Sequence, residues 1–486
     1  MRRLCYSTFM NKVPEALAPD GEPFVVEGYY DGVPYRFVDG TAIDAVVRGE
    51  VVRFESFEEF VQPSAKPGAR YRGGFVFAAQ ICVCWVSAFF VRIYYSYILD
   101  VHPPAFGQAA SLIQILPFVC LGFVFLFARI SFGYFACYFF FSVLLTYVTL
   151  TEATSSWEML AAAAALFLPA MFLPLRRPPV PELSVGLLRK LLIGALALSA
   201  VVLIAAAQYH FKFVSYENIY LHRSGIVLPT PLAYLMGIVT GALLPFTFAC
   251  FAFSRRWLGA GAALALLFLG YPIMLTKMNL LAPAWMLFLL LLSTRNGPRA
   301  TVMLSLLIPM VVGLLSISLV LVPGLPDDYL PIFGLFNFRL IAVPAISIDL
   351  YDRFFATHPL TYFCQVSFLK PFLHCPYSEQ LGVVLEREYR FGTLNASLFA
   401  TEGIASVGPR LAPLSVFGCG LVLAFGNACS SRLPARFVIV SGGMAVLALL
   451  NVPLSTALLT SGLGTLFLLW LVMPRAYFDR PASGPC

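Results

Sequence analysis

Charge is scarce in this chain: 12% of its 486 residues are Asp, Glu, Lys or Arg, and only five are His. With 59% hydrophobic residues and a positive mean hydropathy, so little polar surface excludes a water-soluble globule of ordinary proportions. The sequence also lacks a Gly-rich phosphate loop, a Cys-x-x-Cys pair and any His cluster with metal-ligand spacing. The opening "MRRLCYSTFMNKVPEALAPDGEPF" has no continuous apolar core, so the start is expected to be retained rather than cleaved as a signal peptide. There is no internal repeat.

What is present are apolar runs of the length that crosses hydrocarbon as helix, rather than the short alternating segments of a β-barrel. The sequence predicts an all-α polytopic integral membrane protein with about twelve transmembrane helices, near residues 74–96, 108–128, 131–150, 157–175, 188–207, 231–253, 257–274, 279–293, 301–322, 411–428, 436–451 and 454–473. If all cross, the two ends, Arg129 and the loops at 176–190, 254–257, 294–300 and 429–436 share one side and hold most of the 32 lysines and arginines. The excess of positive charge on cytoplasmic loops then places both termini in the cytoplasm. All five histidines and a long loop, 323–410, face outward.

Residues 1–72 read as a separate cytoplasmic module. The stretch "FVVEGYYDGVPYRFVDGTAIDAVVRGEVVRFESFEEFV" alternates apolar and polar residues and carries Asp-Gly at 31–32 and 39–40, the pattern of a small β-meander. The membrane domain follows from 73 to 480. Of the eleven cysteines, Cys364 and Cys375 share the outer loop, where oxidation is permitted; a disulfide and two buried thiols are both open there.

The outer loop is too long for a simple connection and too apolar for disorder. "NFRLIAVPAISIDLYDRFFATHPLTYF" predicts a helix from about Pro344 to Phe355, on which Asp349 and Arg353 are four residues apart and face each other. Arg339 and Arg353 at a membrane surface are candidates to hold a diphosphate or carboxylate, the chemistry that paired guanidiniums favour; a plain surface ion pair is the alternative for Asp349 and Arg353. Three further outward segments bring polar groups. "SYENIYLHR" at 215–223 supplies Glu217, Tyr220, His222 and Arg223. "LTKMNLLAPAW" supplies Lys277, either an anion ligand or a snorkelling cation. "RFGTLNASLFATEGIASVGPR" supplies Asn395 and Glu402.

These segments resemble the oligosaccharide repeat unit polymerases, the Wzy-type enzymes of O-antigen and exopolysaccharide assembly. "FNFRLIAVPAISIDLYDRFFATHPL" is similar to that family's outer-loop arginine, proline and Y-x-x-F-F pattern, and "GTLNASLFATEGIASVGP" to its N-A-x(n)-G-x-x-G re-entry into the membrane. "YENIYLHR" resembles an outer-loop segment ending in arginine. "TKMNLLAPAW" resembles a G-x-K-S-type segment, with Asn279 where a small hydroxyl residue is usual. The resemblance runs from about residue 74 to the end; the N-terminal module has no counterpart in it.

The resemblance implies a metal-independent membrane glycosyltransferase of the bacterial inner membrane, needing no cofactor. Such an enzyme moves a growing glycan from undecaprenyl diphosphate to the sugar end of another lipid-linked unit. Arg339, Arg353, Lys277 and Arg223 would bind the diphosphate. Glu402, His358 and His222 are candidates for the catalytic base, and Asn395, Tyr351 and Tyr220 for glycan contacts. The implied partners are the lipid-linked oligosaccharide, membrane lipid and a chain-length regulator or other assembly proteins, with no nucleic acid. An O-antigen ligase, which differs in acceptor, and a polysaccharide or lipid transporter are the alternatives. A transporter is expected to place its ionisable residues in mid-span.

Overall fold

A computed structural model describes residues 28–30, 33–38, 42–47, 50–54, 67–96, 109–151, 156–215, 219, 222, 225–322, 329–366, 369–390 and 396–478. They fall into two units, Met1–Tyr71 with Pro474–Cys486, and Arg72–Met473. In the first unit four antiparallel strands, β1 (Gly28–Tyr30), β2 (Val33–Val38), β3 (Ala42–Val47) and β4 (Glu50–Phe54), follow one another in the sheet in chain order. The Asp-Gly pairs lie outside the described residues. The register sets Asp44 opposite Arg53, and the guanidinium forks onto the carboxylate with Nε to Oδ1 at 2.8 Å and Nη2 to Oδ2 at 3.0 Å. Asp44 is buried, so both of its oxygens need these partners.

The second unit is helical: α1 (Pro67–Tyr94), α2 (Ala109–Gly122), α3 (Phe132–Leu150), α4 (Ser156–Phe172), α5 (Val185–Ala207), α6 (Thr230–Phe253), α7 (Trp257–Met274), α8 (Lys277–Arg295), α9 (Pro298–Val320), α10 (Leu330–Phe355), α11 (Leu381–Tyr389), α12 (Phe399–Ser430), α13 (Ala435–Asn451), α14 (Leu454–Leu459) and α15 (Leu463–Val472). Among the described residues nine, α1, α3, α5 to α10 and α12, are long and apolar enough to cross a membrane. Four shorter apolar stretches belong to α2, α4, α13 and α15. The protein is an all-α polytopic membrane protein in this unit.

The post at its centre is α3, whose sequence "FGYFACYFFFSVLLTYVTL" is apolar all round and is buried almost throughout. Lipid tails are as apolar as side chains, so shape has to hold such helices together. Edge-on ring contacts do so here: Phe125 meets Tyr134, Tyr138 and Phe167 with centroids 5.4–5.5 Å apart.

Three helices differ from the sequence expectation, and proline explains two of the differences. The helix expected from Pro344 starts at Leu330, and the span expected from 411 starts at Phe399. Wide π turns run through Val239–Leu243, Gly334–Ala342 and Phe399–Ala405, shortly before Pro245, Pro344 and Pro409. Proline has no N–H to give and its ring crowds the carbonyl four residues back; a wider turn displaces that carbonyl and lets the helix continue. In α12 the backbone still turns out of the helix at Gly408, with φ of +79°. The third difference is a break between α14 and α15, where Gly462 has φ of +78°.

Side chains and termini gather the helix ends into two groups. At one end Arg299 donates to the carbonyls of Leu126 (2.8 Å) and Ala128 (2.7 Å). There too Arg432 and Arg177 share Glu182 at 2.8 and 3.3 Å, and Leu183 N–H reaches Val472 O at 2.9 Å. At the other end Arg92 holds the Thr149 carbonyl, and Lys212 N–H meets Pro272 O at 3.0 Å.

Gly462 offers a test of this packing. A Cβ there would lie 2.8 Å from Ala242 Cβ and 3.1 Å from Ile238 Cα, both on α6. Gly462→Ala adds left-handed strain to overpacking, together costing about 2–5 kcal/mol. The melting midpoint in detergent is expected to fall; an unchanged midpoint would show that the break is not held by α6.

Candidate functional site

The charged stretch of the outer segment lies on α10. Its first part packs on α9, and its later part packs on α3 and on the first turns of α12. Asn337 Nδ2 donates to Met310 O of α9 (3.0 Å) and to Ser87 Oγ of α1 (2.7 Å). One residue on, Phe338 stacks on Tyr95 with centroids 4.0 Å apart. Ile346 shares a buried cluster with Leu150, the last residue of α3, and Tyr351 neighbours Thr401 of α12. The contacts to α1 and α3 are with their C-terminal turns, at the end opposite Arg299 and Arg432.

The cations divide into two groups. Arg339 on α10 is an electrostatic neighbour of Lys277, the first residue of α8, whose start is fixed by Thr276 accepting from Asn279 N–H. The chain thus places two positive charges from distant segments within electrostatic range of each other. Arg353 is bound to Asp349 one turn earlier, Nη2 to Oδ2 at 2.9 Å, and is half-exposed while the aspartate is nearly buried. Arg339 and Arg353 are 14 positions apart on one helix, roughly 20 Å along its axis, so a single diphosphate cannot bridge their backbones and only the reach of both side chains narrows the gap.

Glu402 sits in the π turn of α12 and is 7% exposed. Its Oε1 accepts from Ser455 N–H at 2.9 Å and Ser455 Oγ at 3.0 Å, while Oε2 is buried with no hydrogen-bond partner among the described residues. The first turn of α14 has N–H groups that its own helix cannot satisfy, and a carboxylate suits both those donors and the positive end of the helix dipole. Glu402 therefore stitches the stub of α12 before Gly408 to the stub α14 before Gly462. Its own carbonyl accepts from Ser415 Oγ at 2.5 Å.

The aromatic and imidazole candidates separate by burial. Tyr351, expected to meet glycan, is instead 2% exposed, with its ring against Phe355 and Glu402 as an electrostatic neighbour; its open ring face is spent in packing. His358 is exposed just past the end of α10, stacked on Phe354 at 3.9 Å with Nδ1 2.9 Å from Phe354 O and 3.0 Å from Thr357 Oγ1. His222 is half-buried. Tyr220, Arg223 and Asn395, with Glu217, lie outside the described residues.

Beyond α10 the chain is pinned rather than loose. Thr361 and Tyr362 donate their N–H groups to Ala405 O (2.8 Å) and Ser406 O (3.1 Å), carbonyls left open by the departure of α12 from helix at Gly408. Cys364 and Cys375 are joined in a disulfide. Tyr377 Oη donates to Pro359 O at 2.7 Å and its ring lies against Phe354 and Phe355.

Sequence reasoning missed Ser455 and Thr401. Pro453 just ahead of an apolar turn signals a helix start, and so a need for an acceptor, but nothing local points to a glutamate 53 residues earlier. Among the described residues no three His, Cys, Asp or Glu side chains are grouped as metal ligands. No protein-family model, curated protein or solved structure matches the chain.

Proposed function

We propose that the protein polymerises lipid-linked oligosaccharide repeat units, transferring glycan from undecaprenyl diphosphate to the sugar end of a second lipid-linked unit. The carrying observation is that Lys277 and Arg339, from distant segments, lie within electrostatic range of each other at the end of the bundle away from the basic loops. Two such cations suit an anion, and a departing diphosphate is one at a surface where water screens it poorly. Half-exposed Arg353 is the third cation, released from Asp349 as the second phosphate arrives. Glu402 is the proposed base for the acceptor hydroxyl, its Oε1 oriented by Ser455 and its Oε2 left for the proton.

In this reading twelve segments cross the bacterial inner membrane: α1 to α9, α12, α13 and the broken pair α14 and α15. Helix α10 belongs to the outer 323–410 segment and is not counted among them. The basic end and both termini are cytoplasmic, in keeping with its arginines. A chain-length regulator is a natural partner at the outer face.

Two broken helices that meet at Glu402 favour a second reading, a transporter, because discontinuous helices often frame a substrate path. One experiment separates the readings. Purified protein given undecaprenyl diphosphate repeat units with a chelator is expected to produce a ladder of longer lipid-linked chains. Extension only after lipid A core is added would make it a ligase, and units chemically unchanged in both cases would support transport. A ladder that needs magnesium would keep the polymerase and refute stabilisation by fixed cations.

A further inference from the structure

We infer that the loop closed by Cys364–Cys375 is an interfacial anchor that places Phe372 and Leu373 in the phospholipid headgroup layer. This inference needs only a membrane-spanning α12 and is independent of the polymerase reading.

The loop exposes what a water-facing loop avoids. Phe372 is 82% exposed, Tyr362 66% and Leu373 38%, with Lys370 and His374 exposed on either side of the apolar pair. It is also held in a costly shape. Tyr362 and Phe363 are consecutive bulky residues in the left-handed region, with φ of 47° and 65°. Such strain persists only where surroundings over-determine it, and it marks segments with a task. The surroundings are the two bonds to Ala405 and Ser406 at its base, the disulfide, and the Tyr377 bond to Pro359.

Depth identifies the occupant. Arg410 and Arg432 bracket an uncharged stretch of α12 and its end, "LAPLSVFGCGLVLAFGNACSS", which at helical rise spans roughly 30 Å, the thickness of bilayer hydrocarbon. Directly inside Arg410, the side chains of Leu411, Leu414 and Phe417 are exposed along the helix, as lipid-facing residues are. Hydrocarbon therefore starts at about Leu411, and Gly408, three residues before it, where the chain leaves the helix, faces Leu360 at the base of the loop. The loop is rooted there. Aromatic rings sit favourably at headgroup level, and a flanking lysine reaches lipid phosphates. A glycan would use ring faces but not Leu373.

The test uses Phe372→Trp in the full chain, reconstituted in phosphatidylcholine and phosphatidylglycerol vesicles. The wild type has five tryptophans, so its emission is subtracted. The added tryptophan is expected to emit at shorter wavelength than free tryptophan, to lose most of its fluorescence when the lipids carry bromine near the headgroup end of the acyl chain, and to be shielded from aqueous iodide. Emission like free tryptophan, quenched by iodide and untouched by brominated lipid, would overturn the anchor and leave the loop as a surface for a soluble partner. Phe372→Glu with Leu373→Glu is the second arm. Tyr362→Trp on that background is expected to lose its brominated-lipid quenching, whereas retained quenching would show that the pair does not hold the loop in the bilayer.

Discussion

Arg339→Ala and Lys277→Ala are each expected to lower chain extension by about 10²- to 10³-fold, the usual effect of removing one fixed donor from a developing negative charge. The expectation follows from the proposal that both, within electrostatic range of each other, hold one anion, so the double variant should lose much less than the product of the single losses. Arg339→Lys is expected to recover little, because an ammonium cannot reproduce the planar fork. Arg353→Ala should lose less than Arg339→Ala, since Arg353 already spends part of its charge on Asp349 in a half-exposed pair. Extension is read as glycan length on gels, with membrane insertion checked by the amount of protein in the membrane fraction. Long chains at wild-type level from Arg339→Ala would end the diphosphate assignment.

Glu402→Gln separates the chemical from the structural role of that residue. The amide oxygen still accepts from Ser455 N–H and Oγ, so the stitch between the two broken helices survives. The charge proposed to take a proton does not, and extension is expected to fall by about 10²- to 10⁴-fold with the melting midpoint little changed. Glu402→Ala removes the acceptor as well, leaving buried donors in the first turn of α14, at a cost of about 1–3 kcal/mol. The alanine variant should therefore be both inactive and less stable. A glutamine variant that extends chains normally would make Glu402 a helix cap and nothing more.

Membrane class was legible because bulk composition decides it: no water-soluble core accommodates this much apolar surface. The β-meander signal was local too, carried by alternation over a few residues. What was not legible depended on distant partners or on how a helix absorbs proline. Pro344 reads as a helix start, yet the π turns through Gly334–Ala342 allow the helix to begin at Leu330. Arg339 and Arg353 appear near each other in sequence, but one continuous helix holds them apart, while Lys277, remote in the chain, comes within electrostatic range of Arg339. Tyr351 looks like a surface aromatic between charged residues, and helix rotation turns it inward. Glu402 could be singled out as an acid in a polar re-entry segment, but its partner Ser455 could not.

Asn427 ties early helices to a late one: its Oδ1 accepts from Gly133 N–H at the start of α3, and its Nδ2 donates to Ala170 O at the end of α4, both at 2.7 Å. During synthesis these two backbone groups emerge long before their partner. Ala170 precedes Asn427 by 257 residues, about 13–50 s of translation at ordinary rates. Throughout that interval the central post is in the membrane with its first turn and a neighbouring carbonyl still open. The bundle closes only when the re-entry segment carrying Glu402 has already been made, so the order of synthesis delays the final assembly of the centre until the proposed site is in the chain.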